Sequence, residues 1–106
     1  MLAEGVTMST RSRVRTSLQV DEPWVRVTEY RFAPGAETGW HRHEHDYVVV
    51  PLMDGRLLLE EPGGTTRLAE LRRHESYARR AGVEHNVVNA SEGEFAFLEV
   101  ELLQPG

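Results

Sequence analysis

Short apolar segments recur along the chain, and within many of them apolar side chains alternate with polar ones. The segments are rich in Val, Leu, Thr, Tyr and Phe, and Pro, Gly, Asp and Asn separate them. This pattern favours strands over helices. Candidate strands lie at residues 14–20, 24–32, 40–43, 47–53, 56–61, 65–70, 75–80, 84–89 and 95–103. The chain is therefore predicted to be an all-β domain.

Local signals refine three of these strands. The pair Asp54-Gly55 between two apolar runs predicts a tight hairpin that joins the fourth and fifth strands. Residues 68–74 also suit a short helix, but the segment lacks a clear cap, so a strand is favoured. In the last strand the even positions are expected to be buried, and part of the odd face is expected to meet another subunit. The even positions are Ala96, Leu98, Val100 and Leu102, and the odd positions are Phe95, Phe97, Glu99 and Glu101.

Length and composition indicate one domain with no membrane or nucleic-acid role. The 106 residues suit a single core, with a flexible tail at 1–12 and a domain at 13–106. No run approaches the roughly 20 apolar residues of a membrane span. The net charge of −5 disfavours nucleic-acid binding, which depends on clustered positive charge. The absence of cysteine excludes disulfides and thiolate ligands, and it agrees with a cytoplasmic protein.

Three histidines occupy alternate positions in the segment GWHRHEH at 39–45. In a strand, His41, His43 and His45 would share one face, because successive side chains point to opposite sides. Neutral imidazoles gathered on one face pack poorly but bind a borderline transition metal well. A polar strand face near a barrel mouth, with no bound metal, is the alternative explanation. Metal binding is the first hypothesis for this segment.

A further histidine, His85, lies in a similar setting after the glycine turn at Gly82 and before an apolar run. Two histidines from one strand and one from a distant strand can supply three nitrogen ligands to one metal. His41, His43 and His85 are therefore the predicted ligands. His74 lies in a charged stretch and is expected to be a solvated surface residue.

These positions resemble the two sequence motifs of the cupin superfamily. Gly35, His41, His43 and Gly55 fill the frame of the first motif. Gly82, His85 and Asn89 match the end of the second motif, although its first glycine and its proline are absent. Across residues 39–60 and 81–89 the chain is similar to small single-domain cupins grouped under a β-alanine-degradation family.

The first motif departs from the cupin pattern at its glutamate, which is usually the fourth metal ligand. Val48 stands where the motif places this carboxylate after four intervening residues. His45, Asp46 and Tyr47 are the open candidates to replace it, the first two only with a bulge or shift. A site with three histidines and open positions is the simplest outcome.

The resemblance implies a jelly-roll β-barrel (double-stranded β-helix), a homodimer, and one divalent transition metal chosen from Fe, Mn, Ni, Co, Cu and Zn. Cupins with three histidine ligands include thiol dioxygenases, so the missing glutamate is compatible with an enzyme. A cupin that has lost its metal is the competing explanation.

Two further residues are candidates for contact with a substrate. Tyr77 and Arg79 share a face if residues 75–80 form a strand, so Arg79 is expected to bind a substrate carboxylate. An ion pair between Arg79 and an acidic residue of the chain is an equally good explanation. Tyr47 is expected to line the pocket as a hydrogen-bonding phenol that orients substrate or donates a proton.

The leading hypothesis is a metal-dependent enzyme that acts on a small polar carboxylate in amino-acid catabolism, through dioxygenase-type or Lewis-acid chemistry. Two alternatives stay open at this point. One is a non-catalytic binding or sensor module for a small molecule, and the other is a structural dimer with a vestigial metal site. Metal content and turnover distinguish the three hypotheses.

Overall fold

A computed structural model describes residues 10–103, which form nine strands and one short 3-10 turn. The strands are β1 (Arg15–Glu22), β2 (Val25–Phe32), β3 (His41–Arg42), β4 (Asp46–Pro51), β5 (Gly55–Glu61), β6 (Thr65–Leu71), β7 (Tyr77–Arg79), β8 (Glu84–Asn89) and β9 (Phe95–Leu102). Each corresponds to one predicted strand, so the all-β prediction is confirmed. Residues 68–71 belong to β6, as favoured over the helix.

Two antiparallel sheets pack face to face around the core. One sheet has the order β1-β2-β9-β4-β7, and the other has the order β3-β8-β5-β6. From β2 to β9 the chain crosses between the sheets at every step except from β5 to β6, as in a jelly roll. The large buried side chains between the sheets are Phe32, Val49, Leu57, Leu59, Val87, Phe95 and Phe97. This core surrounds a cavity that lies between the two inner faces and is lined by both apolar and polar side chains.

The hairpin predicted at Asp54-Gly55 is wrong. β4 pairs with β7 and β9 in one sheet, whereas β5 pairs with β6 and β8 in the other. Gly55 is instead required by close packing, because a Cβ atom there would lie 2.2 Å from a ring carbon of Phe95. The Asp54 carboxylate accepts a hydrogen bond from the Arg73 backbone N–H at 2.8 Å, which fixes the crossover between sheets.

The predicted orientation of the last strand is also wrong. Phe95, Phe97 and Glu99 of β9 are buried, whereas Leu98 and Val100 are partly exposed. The aromatic rings enter the core, and Phe97 packs against Phe32 and Tyr30. Ala96 alone of the even positions is buried. The odd residues Phe95, Phe97 and Glu99 therefore face the barrel interior.

The described part of the chain starts at Thr10, so most of the predicted tail at 1–12 lies outside the described residues. The Ser12 carbonyl accepts a hydrogen bond from the Glu37 N–H at 2.9 Å, and Arg11 pairs with Glu37 and Glu60. The last residues of that segment are thus bound to the barrel. Within residues 10–103, no helix is long and apolar enough to cross a membrane.

Candidate metal centre

Three imidazoles converge between the sheets. His41 on β3 is directly opposite His85 on β8, and His43 follows β3 in the loop before β4. Nε2 of His43 lies 3.0 Å from Nε2 of His41 and 3.2 Å from Nε2 of His85. The candidate ligand atoms of all three lie within 4.8 Å of one another. Sequence spacing predicted these three residues together, and the structure places them at one point.

The spacing of these nitrogens fits a single metal ion. Two nitrogens that are each about 2.1 Å from one ion lie about 3.0 Å apart at a right angle and about 3.4 Å apart at the tetrahedral angle. The separations of 3.0 and 3.2 Å fall in this range. A borderline divalent ion is the natural occupant, because the donor set is entirely imidazole.

The orientation of His41 is set by a backbone carbonyl. Nδ1 of His41 lies 2.9 Å from the Gly39 carbonyl oxygen, which can only accept a hydrogen bond. The neutral ring therefore carries its proton on Nδ1 and directs the Nε2 lone pair toward the other histidines. Gly39 has a φ of +87°, a conformation that favours glycine and turns this carbonyl toward the ring. This is how outer groups fix a ligating imidazole.

Asn86 holds the Gly39 turn in place. Its Oδ1 accepts a hydrogen bond of 2.8 Å from the Gly39 N–H. Its Nδ2 donates hydrogen bonds of 2.9 Å to Glu37 and 2.8 Å to Glu60. Arg11 bonds the same two carboxylates. Asn86, which is 3% exposed, thereby links a charged network to the backbone that orients His41.

His43 and His85 are buried, and burial lowers the pKa of both. Burial and the neighbouring imidazoles lower the pKa of His43 to about 3, and burial and His41 lower that of His85 to about 4. The ring of His43 stacks on Tyr47 with centroids 3.9 Å apart. Nδ1 of His85 has no hydrogen-bond partner among residues 10–103. Both rings are therefore neutral near pH 7 and have lone pairs available for a metal.

Tyr47 and Arg79 are opposite one another on β4 and β7 and line the cavity next to the histidines. The innermost cavity has a volume of about 30 Å³. Burial raises the pKa of Tyr47 to about 12, so the phenol stays protonated. Within the described chain, Arg79 forms no ion pair and no side-chain hydrogen bond. The alternative of a structural ion pair for Arg79 finds no partner there.

Glu99 also lines this cavity, and the sequence analysis missed it as a site residue. Its side chain is 6% exposed, and the Tyr30 hydroxyl donates a hydrogen bond of 3.5 Å to it. Burial and the nearby Glu101 raise the pKa of Glu99 to about 7. Glu99 alternates with Phe95 and Phe97, which is the sequence signal for a shared face, but the alternation of the even positions predicts that face to be the outer one.

The three candidates for the missing glutamate lie in different places. Asp46 accepts a hydrogen bond from the Ala81 N–H at 2.8 Å and lies near Arg80. His45 lines the mouth of the cavity, and Tyr47 stacks on His43. Among the described residues, the cluster suited to a metal contains His41, His43 and His85, without a carboxylate. His74 is exposed, as predicted.

Comparisons with known proteins agree with this architecture. The cupin domain family matches residues 28–101. The chain is 60% identical over 95 residues to the β-alanine degradation protein BauB of Pseudomonas aeruginosa, covering 90% of this chain and 99% of that protein. A cupin domain from Bordetella pertussis superimposes with a TM-score of 0.87 at 50% identity, covering 92% of this chain and all of that one.

A more distant structure shows the fold alone. A protein from Klebsiella pneumoniae with a double-stranded β-helix domain has a TM-score of 0.70 at 20% identity, covering 93% of this chain and 79% of that one. The strand order and the histidines of the two cupin motifs agree with the family match. The chain belongs to the cupin family.

Proposed function

We propose that this cupin is a metal-dependent enzyme that acts on a small polar carboxylate in amino-acid catabolism. The observation that carries the proposal is the convergence of three histidine Nε2 atoms beside Tyr47 and Arg79 in one cavity. The printed name of the relative from Pseudomonas aeruginosa supports β-alanine and compounds derived from it as the first substrates to test.

His41, His43 and His85 would hold one divalent transition metal, drawn from Fe, Mn, Ni, Co, Cu and Zn. Such an ion, when bound with open positions, supplies Lewis-acid polarisation of a substrate oxygen or a site for dioxygen. Ligation requires neutral imidazoles, and burial already keeps His43 and His85 in that form near pH 7 by lowering their pKa values.

The protein's own side chains have separate tasks in this proposal. Arg79 binds the substrate carboxylate through charge-assisted hydrogen bonds. Tyr47 donates a hydrogen bond or a proton from its phenol, which the raised pKa keeps protonated. Apolar side chains line much of the rest of the cavity and exclude water from it. These side chains belong to Val49, Leu57, Leu59, Val87 and Phe97.

The test combines reconstitution with turnover. Protein loaded separately with each of the six metals is incubated in air with β-alanine, related small carboxylates and small thiols, while an oxygen electrode and NMR follow consumption and products. Turnover with at least one metal, lost in Tyr47→Phe or Arg79→Gln with metal content retained, supports the enzyme. Binding without turnover under every condition would favour the non-catalytic module.

We also propose that the protein is a cytoplasmic homodimer that buries the outer face of the five-stranded sheet. One register row on this face is apolar across all five strands: Val20, Val27, Val100, Val48 and Ala78. A continuous apolar row suits a self-complementary interface around a two-fold axis. Around the two-fold axis, this row in one protomer contacts the same row in its partner. One charged substitution in the row therefore places two like charges at the interface.

Light scattering coupled to size exclusion tests the dimer. The wild-type protein is expected to have twice the chain mass at micromolar concentration, and Val100→Glu is expected to be monomeric. Thr66→Glu, on exposed β6 of the other sheet, is the matched control and is expected to remain dimeric. A monomeric wild type would contradict the proposal.

A further inference from the structure

Two oppositely charged side chains border the cavity on either side of β4. Arg79 on β7 is opposite Tyr47, and Glu99 on β9 is opposite Val49. Because cross-strand partners share a face, both charged side chains point into the barrel with Tyr47 and Val49. All four line the same cavity. The site thus has a cationic side and an acidic side, separated by one strand.

Neither charged group has a counter-ion within residues 10–103. Arg79 and Glu99 form no ion pair with each other or with another described residue. The contact that Glu99 makes is the Tyr30 hydroxyl at 3.5 Å. Glu99 is buried and Arg79 is half-buried, and burying a charge without a partner is costly. Their positions are therefore better suited to pairing with groups on a ligand.

The shape and charge of the cavity limit the ligand. The inner volume of about 30 Å³ holds about two water molecules by the same measure, so only a few non-hydrogen atoms fit inside. A wider cavity of about 330 Å³, the mouth, shares Tyr30, His41, His43 and Glu99 with the inner one. Its lining also contains charged residues of both signs: Arg26, Arg42, Glu44 and Glu101. Within the inner cavity, Glu99 favours the cationic end of a ligand, and Arg79 favours an anionic end.

We infer that the cavity selects a small zwitterion, an amino acid whose carboxylate pairs with Arg79 and whose ammonium pairs with Glu99. This inference rests on the proposed function, since it names the substrate class of the same site. A monocarboxylate without an amine would leave Glu99 without a cation. A dicarboxylate would place a second anion against Glu99. An ω-amino acid with a short methylene chain satisfies both sides of β4.

Isothermal titration of the full-length, metal-loaded protein tests the inference with matched ligand pairs. The pairs are β-alanine with propionate and 4-aminobutyrate with butyrate, which differ only in the ammonium group. The wild type is expected to bind at least one amino acid about tenfold or more tighter than its partner carboxylate. Glu99→Gln is expected to abolish this preference while the carboxylate affinity is retained.

Two further variants make the result specific. Arg79→Gln is expected to weaken both members of a pair about tenfold or more. Glu94→Gln is the matched control, because this carboxylate just before β9 is exposed and pairs with Arg31 at 2.8 Å, and it is expected to keep the preference. Circular dichroism and metal analysis on each variant establish that the fold and the bound ion are retained.

The outcomes separate the inference from the proposed function. Equal affinity for the amino acids and their partner carboxylates in the wild type, or a preference that survives Glu99→Gln, would overturn the zwitterion inference and leave the carboxylate site standing. Failure of every carboxylate and amino acid to bind the metal-loaded wild type would overturn both.

Discussion

The two walls of the cavity differ in how their polar groups are held. The metal wall contains His41 on β3, His85 on β8 and His43 in the loop before β4, with Thr38 beside them. The substrate wall contains Tyr30, Tyr47, Arg79 and Glu99 and comes from the five-stranded sheet. In the metal wall, Nδ1 of His41 lies 2.9 Å from the Gly39 carbonyl oxygen, and Asn86 in turn accepts a hydrogen bond from the Gly39 N–H. In the substrate wall, the side-chain hydrogen bond within residues 10–103 is the long one from Tyr30 to Glu99.

The metal wall is therefore the one whose geometry is set before a ligand binds. An imidazole that is fixed by an outer hydrogen bond, as His41 is, keeps its lone pair aimed at one point, which favours an ion that tolerates little error in geometry. Charged groups without partners gain most when a ligand supplies them. We therefore assign metal retention to one wall and substrate selection to the other.

The largest expected effect breaks the metal wall at a ligand. His85→Ala is expected to weaken metal affinity by more than about 100-fold, beyond the effect of typical outer-shell changes, because one of three donors is lost. His45→Ala and His74→Ala are the matched controls, and both are expected to leave affinity nearly unchanged. Competition with a chromogenic chelator gives the affinities. Equal losses for His45→Ala and His85→Ala would show that the ligand assignment is wrong.

Replacing Asn86 tests the hydrogen bonds that hold Gly39 beside the metal wall. Asn86→Ala frees the Gly39 N–H and two carboxylates, so we expect a loss of about 10–100-fold in metal affinity and about 1–3 kcal/mol in stability. Asn89→Ala is the matched control, because Asn89 is equally buried but bonds the Phe32, Ala33 and Gly93 carbonyls.

The control is expected to lose similar stability in urea unfolding while its metal affinity is retained. If Asn89→Ala and Asn86→Ala weaken the metal equally, Asn86 acts through general stability alone and has no role in orienting His41.

A third test uses pH, to which the two walls respond in opposite ways. The pKa of Glu99 is raised to about 7 in the fold, so the native state binds its proton more tightly than the unfolded chain does. Its stabilising contribution is present below the unfolded pKa and is lost as pH rises through about 7. Glu99→Gln is therefore expected to gain about 1–3 kcal/mol over the wild type between about pH 4.5 and pH 8.

His43 and His85 give the opposite trend in metal-free protein. Burial lowers the pKa of His43 to about 3 and that of His85 to about 4. As the pH falls, the unfolded state therefore takes up protons first, and stability decreases below about pH 6.5. Urea unfolding of metal-free wild type and Glu99→Gln across this range measures both slopes. A stability difference that is independent of pH would contradict the placement of Glu99 as a buried carboxyl.

The smallest effect is expected from Tyr47→Phe. The variant keeps the ring that stacks on His43 at 3.9 Å and removes the hydroxyl, so metal affinity should change by no more than about twofold. Tyr47→Ala removes the stack as well and is expected to weaken the metal further. Chelator competition on both variants measures the difference. A large loss in Tyr47→Phe would place the phenol oxygen among the metal-binding groups.

The sequence predicted most of the fold and the clustering of the three histidines because those signals are local. Strand periodicity located all nine strands in residues 10–103, and the residues of β8 matched the prediction. The spacing of His41 and His43, together with His85 after a glycine turn, identified the cluster. Alternation shows that the two faces of a strand differ, but it does not show which face is inside. In β9 both faces begin with apolar residues, so the sequence did not identify Glu99 as a buried residue.

Long-range partners could not be read from the chain. Asn86 is 49 residues from Glu37 and 47 residues from Gly39, and no local spacing connects it to either. The Asp54-Gly55 pair is a strong hairpin signal in isolation, but the contact between Gly55 and Phe95 imposes a crossover between sheets instead. Tertiary packing overrode the local preference there, as it often does at turns.

Elemental analysis tests the central claim most directly. Tag-free protein purified without chelator is compared by plasma mass spectrometry with the His41→Ala, His43→Ala double variant, before and after reconstitution with each candidate metal. We expect close to one equivalent of a transition metal per chain in the wild type and almost none in the double variant. Absence of metal from the wild type after reconstitution, or equal content in the two proteins, would contradict the account.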